Sequence, residues 1–216
     1  MALVDLPNLE EIRRGAFSRC PALSSIELRE LPRLESIGDN IARQSALETI
    51  RLSSLPELGA IDDAFLVECA SLRKVTLEEL PKLYEIGPVA LSNCPSLREV
   101  ELNRLPCLRT IDVKFATDCT ALETLQLSDL PELTYIRMGF LSGCVALRRV
   151  ALIDLPNLHN IEERDFSECL AIRDIELRGV PKFPDVEAFR HFLELSSKTK
   201  PDVVKALSSF VYQPAN

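Results

Sequence analysis

Apolar residues in this chain fall on one fixed beat from end to end. Each beat reads C-x-x-L-x-x-I-x-L-x-x-L-P-x-L-x-x-I-x-x-x-F. The run Cys94, Leu97, Val100, Leu102, Leu105, Pro106, Leu108, Ile111, Phe115, closed by Cys119, shows it in full. Leu-Pro pairs stand at Leu6-Pro7, Leu31-Pro32, Leu55-Pro56, Leu80-Pro81, Leu105-Pro106, Leu130-Pro131 and Leu155-Pro156, with Val180-Pro181 as a degenerate eighth. The spacing is 25 residues at every step but one, which is 24. The short step lies beside Ser45, where a residue is lost more cheaply from a turn than from a core layer. Self-similarity at such a period marks a solenoid, in which each repeat buries its apolar residues only against its neighbours.

Alternation around I-x-L predicts short strands over residues 25–28, 49–52, 74–77, 99–102, 124–127, 149–152 and 174–177. Period-two geometry turns their Ile and Leu inward and the residues between outward. Proline after each strand ends the ladder and turns the chain, and Leu-x-x-Ile lays two more apolar residues on the core. The segment 138–144 and its equivalents are predicted to make one or two helical turns on the opposite side. Residues 1–22 begin in mid-repeat, with Met1 and Leu3 at the two strand core positions. Either an N-terminal continuation or a partner surface is expected over that open layer, because each repeat needs a neighbour. After Val180 the beat stops. Val186, Phe189, Phe192 and Leu193 keep helical spacing within 185–195, residues 196–200 read as a polar loop, and Pro201 opens a second amphipathic stretch carrying Val203, Val204, Leu207, Phe210 and Val211. The division is therefore a solenoid over 1–183 and a C-terminal helical cap over 184–216.

The core of the beat, Leu122, Leu125, Leu127 and Leu130 for example, resembles the leucine-rich repeat signature. Its second half, Ile12 to Cys20 or Ile86 to Cys94, looks most like the BspA-like class. It departs from that class in being about two residues longer and in carrying Leu-Pro where proline alone is usual. The cysteine-containing class found beside F-box proteins is a weaker match. The resemblance implies an α/β fold: a leucine-rich repeat solenoid with parallel strands on the concave face, short helical turns on the convex face and a C-terminal helical cap. The first functional reading is a non-enzymatic protein–protein interaction module or scaffold, since the repeat displays its polar residues in columns and not in a convergent catalytic set. The alternative, which the resemblance to the BspA-like class implies, is a structural spacer or adhesive repeat region of a larger assembly or surface protein.

Composition changes this picture only at the margins. Hydrophobic content of 46% beside 27% charged residues is that of a folded domain. A net charge of −8 disfavours nucleic acid or anionic membrane as the main partner. No apolar run approaches the roughly 20 residues that cross a bilayer, and the first residues lack the basic-then-apolar pattern of a secretory signal. Cys20, Cys69, Cys94, Cys119, Cys144 and Cys169 keep one repeat position, with Ser45 in the missing place. They are expected to stack as small core hydrophobes. Disulfides between turns are conceivable but not needed, and a straight column without histidine cannot surround zinc tetrahedrally. Unbridged thiols and no signal point to a reducing, cytoplasmic location. Cys107 stands off the column and is expected to be the one exposed thiol.

Candidate chemistry is sparse. Only His159 and His191 could act as near-neutral bases, and neither has a nucleophile nearby in the pattern. No phosphate loop, metal-spaced set or nucleophile elbow appears, so no catalysis, cofactor or metal is expected. The expected partner is another protein, met on one of two surfaces. One is the concave face, where Glu27, Arg51, Thr76, Glu101, Gln126, Ala151 and Glu176 form the central column, and Arg73, Arg98, Arg148 and Arg173 a row at the strand entrance. The other is a strip of neighbouring exposed turn positions in four successive repeats: Tyr84, Arg109, Tyr135 and His159. Tyrosine and arginine are the residue types in which interface energy concentrates.

Overall fold

The computed structural model describes residues 1–198. Strands β1 (Ala2–Val4), β2 (Glu11–Ile12), β3 (Ser25–Arg29), β4 (Ser36–Ile37), β5 (Thr49–Ser53), β6 (Ala60–Ile61) and β7 (Lys74–Glu78) occupy the first half. Then come β8 (Glu85–Ile86), β9 (Glu99–Asn103), β10 (Thr110–Ile111), β11 (Thr124–Ser128), β12 (Tyr135–Ile136), β13 (Arg149–Ile153) and β14 (Asp174–Arg178). Among the described residues they form two parallel sheets. One is eight-stranded in the order β1-β3-β5-β7-β9-β11-β13-β14, the other six-stranded in the order β12-β10-β8-β6-β4-β2. Each step along either sheet is one repeat along the chain.

Register follows the beat. Leu77, Leu102 and Leu127 lie opposite one another in β7, β9 and β11, and Ile61 and Ile86 pair across the smaller sheet. Every inward Leu or Ile of these central repeats is buried, and the repeats share one continuous core. The strands of the larger sheet run one residue past the alternation seen in the sequence, and the Leu-x-x-Ile stretch makes a second ladder of its own. Both differences arise because a backbone amide next to an identical repeat finds an acceptor there.

The segments expected to be helical turns differ most. Their amides bond to the next repeat: Ala64 N to Pro88 O at 2.9 Å, Leu66 N to Ala90 O at 2.7 Å, Leu91 N to Phe115 O at 2.7 Å. An α-helix would need those amides for carbonyls four residues back. Turns between repeats replace helix, and among the described residues the one short helix in this position is the 3-10 turn Glu163–Phe166, between β13 and β14. Non-glycine residues take left-handed backbone to make these turns, including the residue before each Leu-Pro: Glu79 (φ 54°), Arg104 (φ 53°), Asp129 (φ 55°) and Asp154 (φ 54°). That conformation costs roughly 1–2 kcal/mol per residue. It is held because the same residues donate onward, Asp129 N to Ile153 O at 3.0 Å and Asp154 N to Arg178 O at 2.7 Å.

The C-terminal end is closed by helix α1 (Val186–Lys198), which runs through the stretch expected to begin a polar loop. Phe189 and Phe192 of α1 pack on Phe166 and Phe183, with ring centroids 4.8–6.0 Å apart. Phe166 continues into Phe140 and Phe115, so an aromatic stack joins solenoid to helix. The second amphipathic stretch, from Pro201, lies outside the described residues. At the other end the first layer is open: Met1 and Leu6 are exposed, and Leu3, Leu9 and Phe17 only partly covered.

Candidate functional site

The face of the eight-stranded sheet presents charges that already satisfy one another. Arg51 pairs with Glu78, and Lys74 with Glu99 at 3.0 Å and Glu101 at 3.2 Å. Arg149 reaches Asp174 at 2.8 Å and Glu176 at 2.7 Å. Partial burial works against the Lys74 charge, but its hydrogen bonds to the two glutamates outweigh that and hold its pKa above the ordinary lysine value. Identical registration makes this pairing natural, since a residue and its counterpart one repeat on sit about 4.8 Å apart.

The arginine row at the strand entrance is interrupted and half neutralised. Arg73 lies 3.8 Å from Glu48, and Arg98 3.4 Å from Glu123, which occupies the same column between Arg98 and Arg148. Arg148 and Arg173 are exposed at the far end.

The strip of the smaller sheet is exposed along its length. Tyr84 and Tyr135 are 51% and 50% exposed, the largest aromatic surfaces among the described residues. Arg109 and His159 are also exposed. Strand register places Tyr135 opposite Thr110, not opposite Arg109. Tyr84, Arg109 and His159 therefore share one column, with Thr134 between the last two, and Tyr135 stands one residue further on. The Tyr84 ring leans back over Gly59, where an added Cβ would meet Cε1 at 3.4 Å.

A third surface was not legible as a site. After the large sheet, exposed Pro56, Pro81, Pro106, Pro131 and Pro156 line a groove of 900 Å³, walled by Ser54, Glu79, Arg104, Asp129 and Asp154. The signal was present in the Leu-Pro beat, where proline counts as a strand terminator. Only stacking shows that the rings make a continuous floor.

The periodic cysteines are free thiols. Cys69, Cys94, Cys119, Cys144 and Cys169 are buried, Cys20 is half-buried and Cys107 exposed. Each buried thiol reaches a backbone carbonyl of the preceding repeat: Cys94 to Leu66 O and Cys119 to Leu91 O at 3.1 Å, Cys144 to Ala116 O and Cys169 to Leu141 O at 3.2 Å, Cys69 to Ala42 O at 3.6 Å. Burial pushes the Cys69 and Cys169 thiols up to about 12, which leaves almost no thiolate to react. In native protein a maleimide is expected to label Cys107 fast, Cys20 more slowly and the five buried thiols only on unfolding, read by mass spectrometry over time. Early modification of Cys94 or Cys119 would show that the column is not packed as described.

No helix among the described residues is long and apolar enough to cross a membrane. No three His, Cys, Asp or Glu of the described residues are grouped to hold a metal. Asp62 and Asp63 have raised pKa values, through burial first and then neighbouring carboxylates including Asp39.

A parallel-stranded solenoid whose successive turns carry the Leu-x-x-Ile-x-Leu-x-x-Leu signature is a leucine-rich repeat protein. Residues 2–112 and 104–215 match the model of the BspA type leucine rich repeat region, which spans 6 copies, and the chain belongs to that family. Such repeats are typically protein-interaction or surface-adhesion modules, and the family and fold are generally non-catalytic. A leucine rich cell surface protein from Faecalibacterium prausnitzii shares the fold with TM-score 0.50 at 18% identity, over 88% of this chain and 61% of that one. A leucine-rich repeat protein of T. pallidum has TM-score 0.45 at 20% identity, over 72% of this chain and 86% of that one. The pneumococcal vaccine antigen PcpA has TM-score 0.40 at 15% identity, over 87% and 65%. No curated protein matches the sequence.

Proposed function

We propose that this chain has no catalytic activity of its own and binds another protein through the strip of Tyr84, Arg109, Tyr135 and His159. The observation that carries this reading is the contrast between two surfaces. Cations on the large sheet are already matched by carboxylates of adjoining repeats, whereas both tyrosines stand half exposed. Tyrosine gives a large contact area with few rotors and a polar tip. The charge-paired sheet face would have to give up internal pairs to meet a partner.

In a pull-down of the physiological partner, Tyr84→Ala with Tyr135→Ala is expected to weaken capture about tenfold or more with unchanged thermal stability. Charge reversal at Arg73 and Arg98 should have the smaller effect. The reverse order, with strong salt sensitivity, would move recognition to the strand entrance. Undiminished capture by both variants would favour the spacer reading. We further propose a reducing, cytoplasmic location, supported by the unbridged buried thiols. Disulfides found in protein isolated under thiol-blocking conditions would contradict it.

A further inference from the structure

We propose that the proline-floored groove is a docking track for an extended, proline-rich polypeptide segment carrying basic residues. It is a surface separate from the tyrosine strip. Its floor is made of proline rings from Pro56 to Pro156, all exposed. A proline side chain has essentially no rotamer freedom to lose, so an occupant meets a floor that is rigid before it binds.

Spacing selects the backbone of the occupant. The rings recur once per repeat, about 4.8 Å apart, from the spacing of parallel strands. A polyproline II helix advances about 9.3 Å per turn of three residues, which is close to two of those steps. Every third residue of such a segment therefore meets the same feature of the floor. A β-strand repeats its face about every 6.6 Å and falls out of phase with the rings at its first repeat.

Charge selects the side chains. On the groove walls Glu79 is paired with Arg104 at 2.8 Å and Asp154 with Arg178 at 2.8 Å. Beyond the floor, Glu57 is held by Lys82 at 2.5 Å. Asp129 on the groove wall and Glu132, which follows Pro131 just outside the lining, are both exposed, and among the described residues neither takes part in an ion pair. Two uncompensated carboxylates beside an apolar ring ask for a cation next to a proline, within a chain whose net charge is −8. A segment with Lys or Arg at every third position supplies that cation in phase with the floor.

The test is a fluorescence-anisotropy titration of the full chain against three labelled peptides. One is made of Pro-Pro-Arg repeats, one of Pro-Pro-Glu repeats and one of Gly-Ser-Arg repeats. The Pro-Pro-Arg peptide is expected to bind about tenfold more tightly than either of the others. Asp129→Asn with Glu132→Gln should weaken it about fivefold or more without changing the melting temperature. Asparagine tolerates the left-handed backbone at position 129 (φ 55°). The Tyr84→Ala, Tyr135→Ala protein should bind the peptide as wild type does. No binding, equal binding of Gly-Ser-Arg or Pro-Pro-Glu, or an undiminished Asn/Gln variant would each overturn the groove proposal while leaving the tyrosine strip untouched. Loss of the peptide in the tyrosine variant alone would also overturn it, by assigning the peptide to the strip.

Discussion

Leu102→Ala is expected to lower the unfolding free energy by about 2–5 kcal/mol, the range for a buried leucine cut to alanine in a close-packed core. Leu102 is fully buried and registered between Leu77 and Leu127, so the cavity opens toward two neighbouring repeats at once. Solenoid stability is close to a sum of repeat and nearest-neighbour terms, and one truncation weakens two such interfaces. The outward, half-exposed Gln126→Ala gives up only a long 3.4 Å hydrogen bond from Nε2 to Ser128 Oγ and should cost no more than about 0.5 kcal/mol, as surface changes usually do. Glu101 would be a poor control despite facing outward, because it accepts from Lys74 and from Thr76 at 3.2 Å each. Chemical denaturation of the two variants beside wild type measures both effects. Equal costs at 102 and 126 would mean that inward and outward faces are assigned wrongly.

The second large effect belongs to Asp165. It stands in the last repeat at the core position that Phe65, Phe115 and Phe140 fill in earlier repeats, and it is fully buried. Its carboxylate accepts from Gly139 N at 2.9 Å and from Glu162 N at 2.7 Å. It thus replaces a backbone carbonyl where the ladder ends and the 3-10 turn begins. Burial pushes its pKa up to about 7, against the backbone hydrogen bonds that lower it. The folded protein therefore holds a proton between about pH 4 and 7 that the unfolded chain has released. The Asp165 contribution to stability is fully present below the unfolded pKa of 3.8 and is lost as pH rises through about 7. At about 1.4 kcal/mol per pH unit, the loss across that window is of order 4 kcal/mol. Unfolding free energies measured across that window should show this falling component in wild type and not in Asp165→Asn. An identical pH dependence in the two proteins would remove Asp165 as its source. Asp165→Ala should be destabilised at every pH, because each amide left without an acceptor costs about 1–3 kcal/mol.

Legibility differed between fold and surface for a physical reason. Which residues face the core follows from local alternation, and the periodic Leu, Ile and Cys carry it without reference to any partner strand. Which surface residues meet depends on register between repeats. Tyr84, Arg109 and His159 share a column by their place in Leu-x-x-Ile, whereas Tyr135 stands one residue along at the place of Thr110, and strand pairing sets those two side by side. Outward charges such as Lys74, Glu99 and Glu101 read in sequence as a mixed surface. Stacking turns them into internal pairs.

By itself the sequence determined the repeat, its length, the parallel stacking and the cysteine column, since a period of 25 with proline in place leaves an apolar stripe only one way to be buried. Tertiary structure alone decided the form of the turns opposite the large sheet. Their composition permits helix, but an identical turn at hydrogen-bonding distance takes the amides, and Leu66 and Leu91 donate to the next repeat. It decided the second sheet and the proline floor in the same way. Neither exists within one repeat, because a ladder and a groove are made of the same position in several copies.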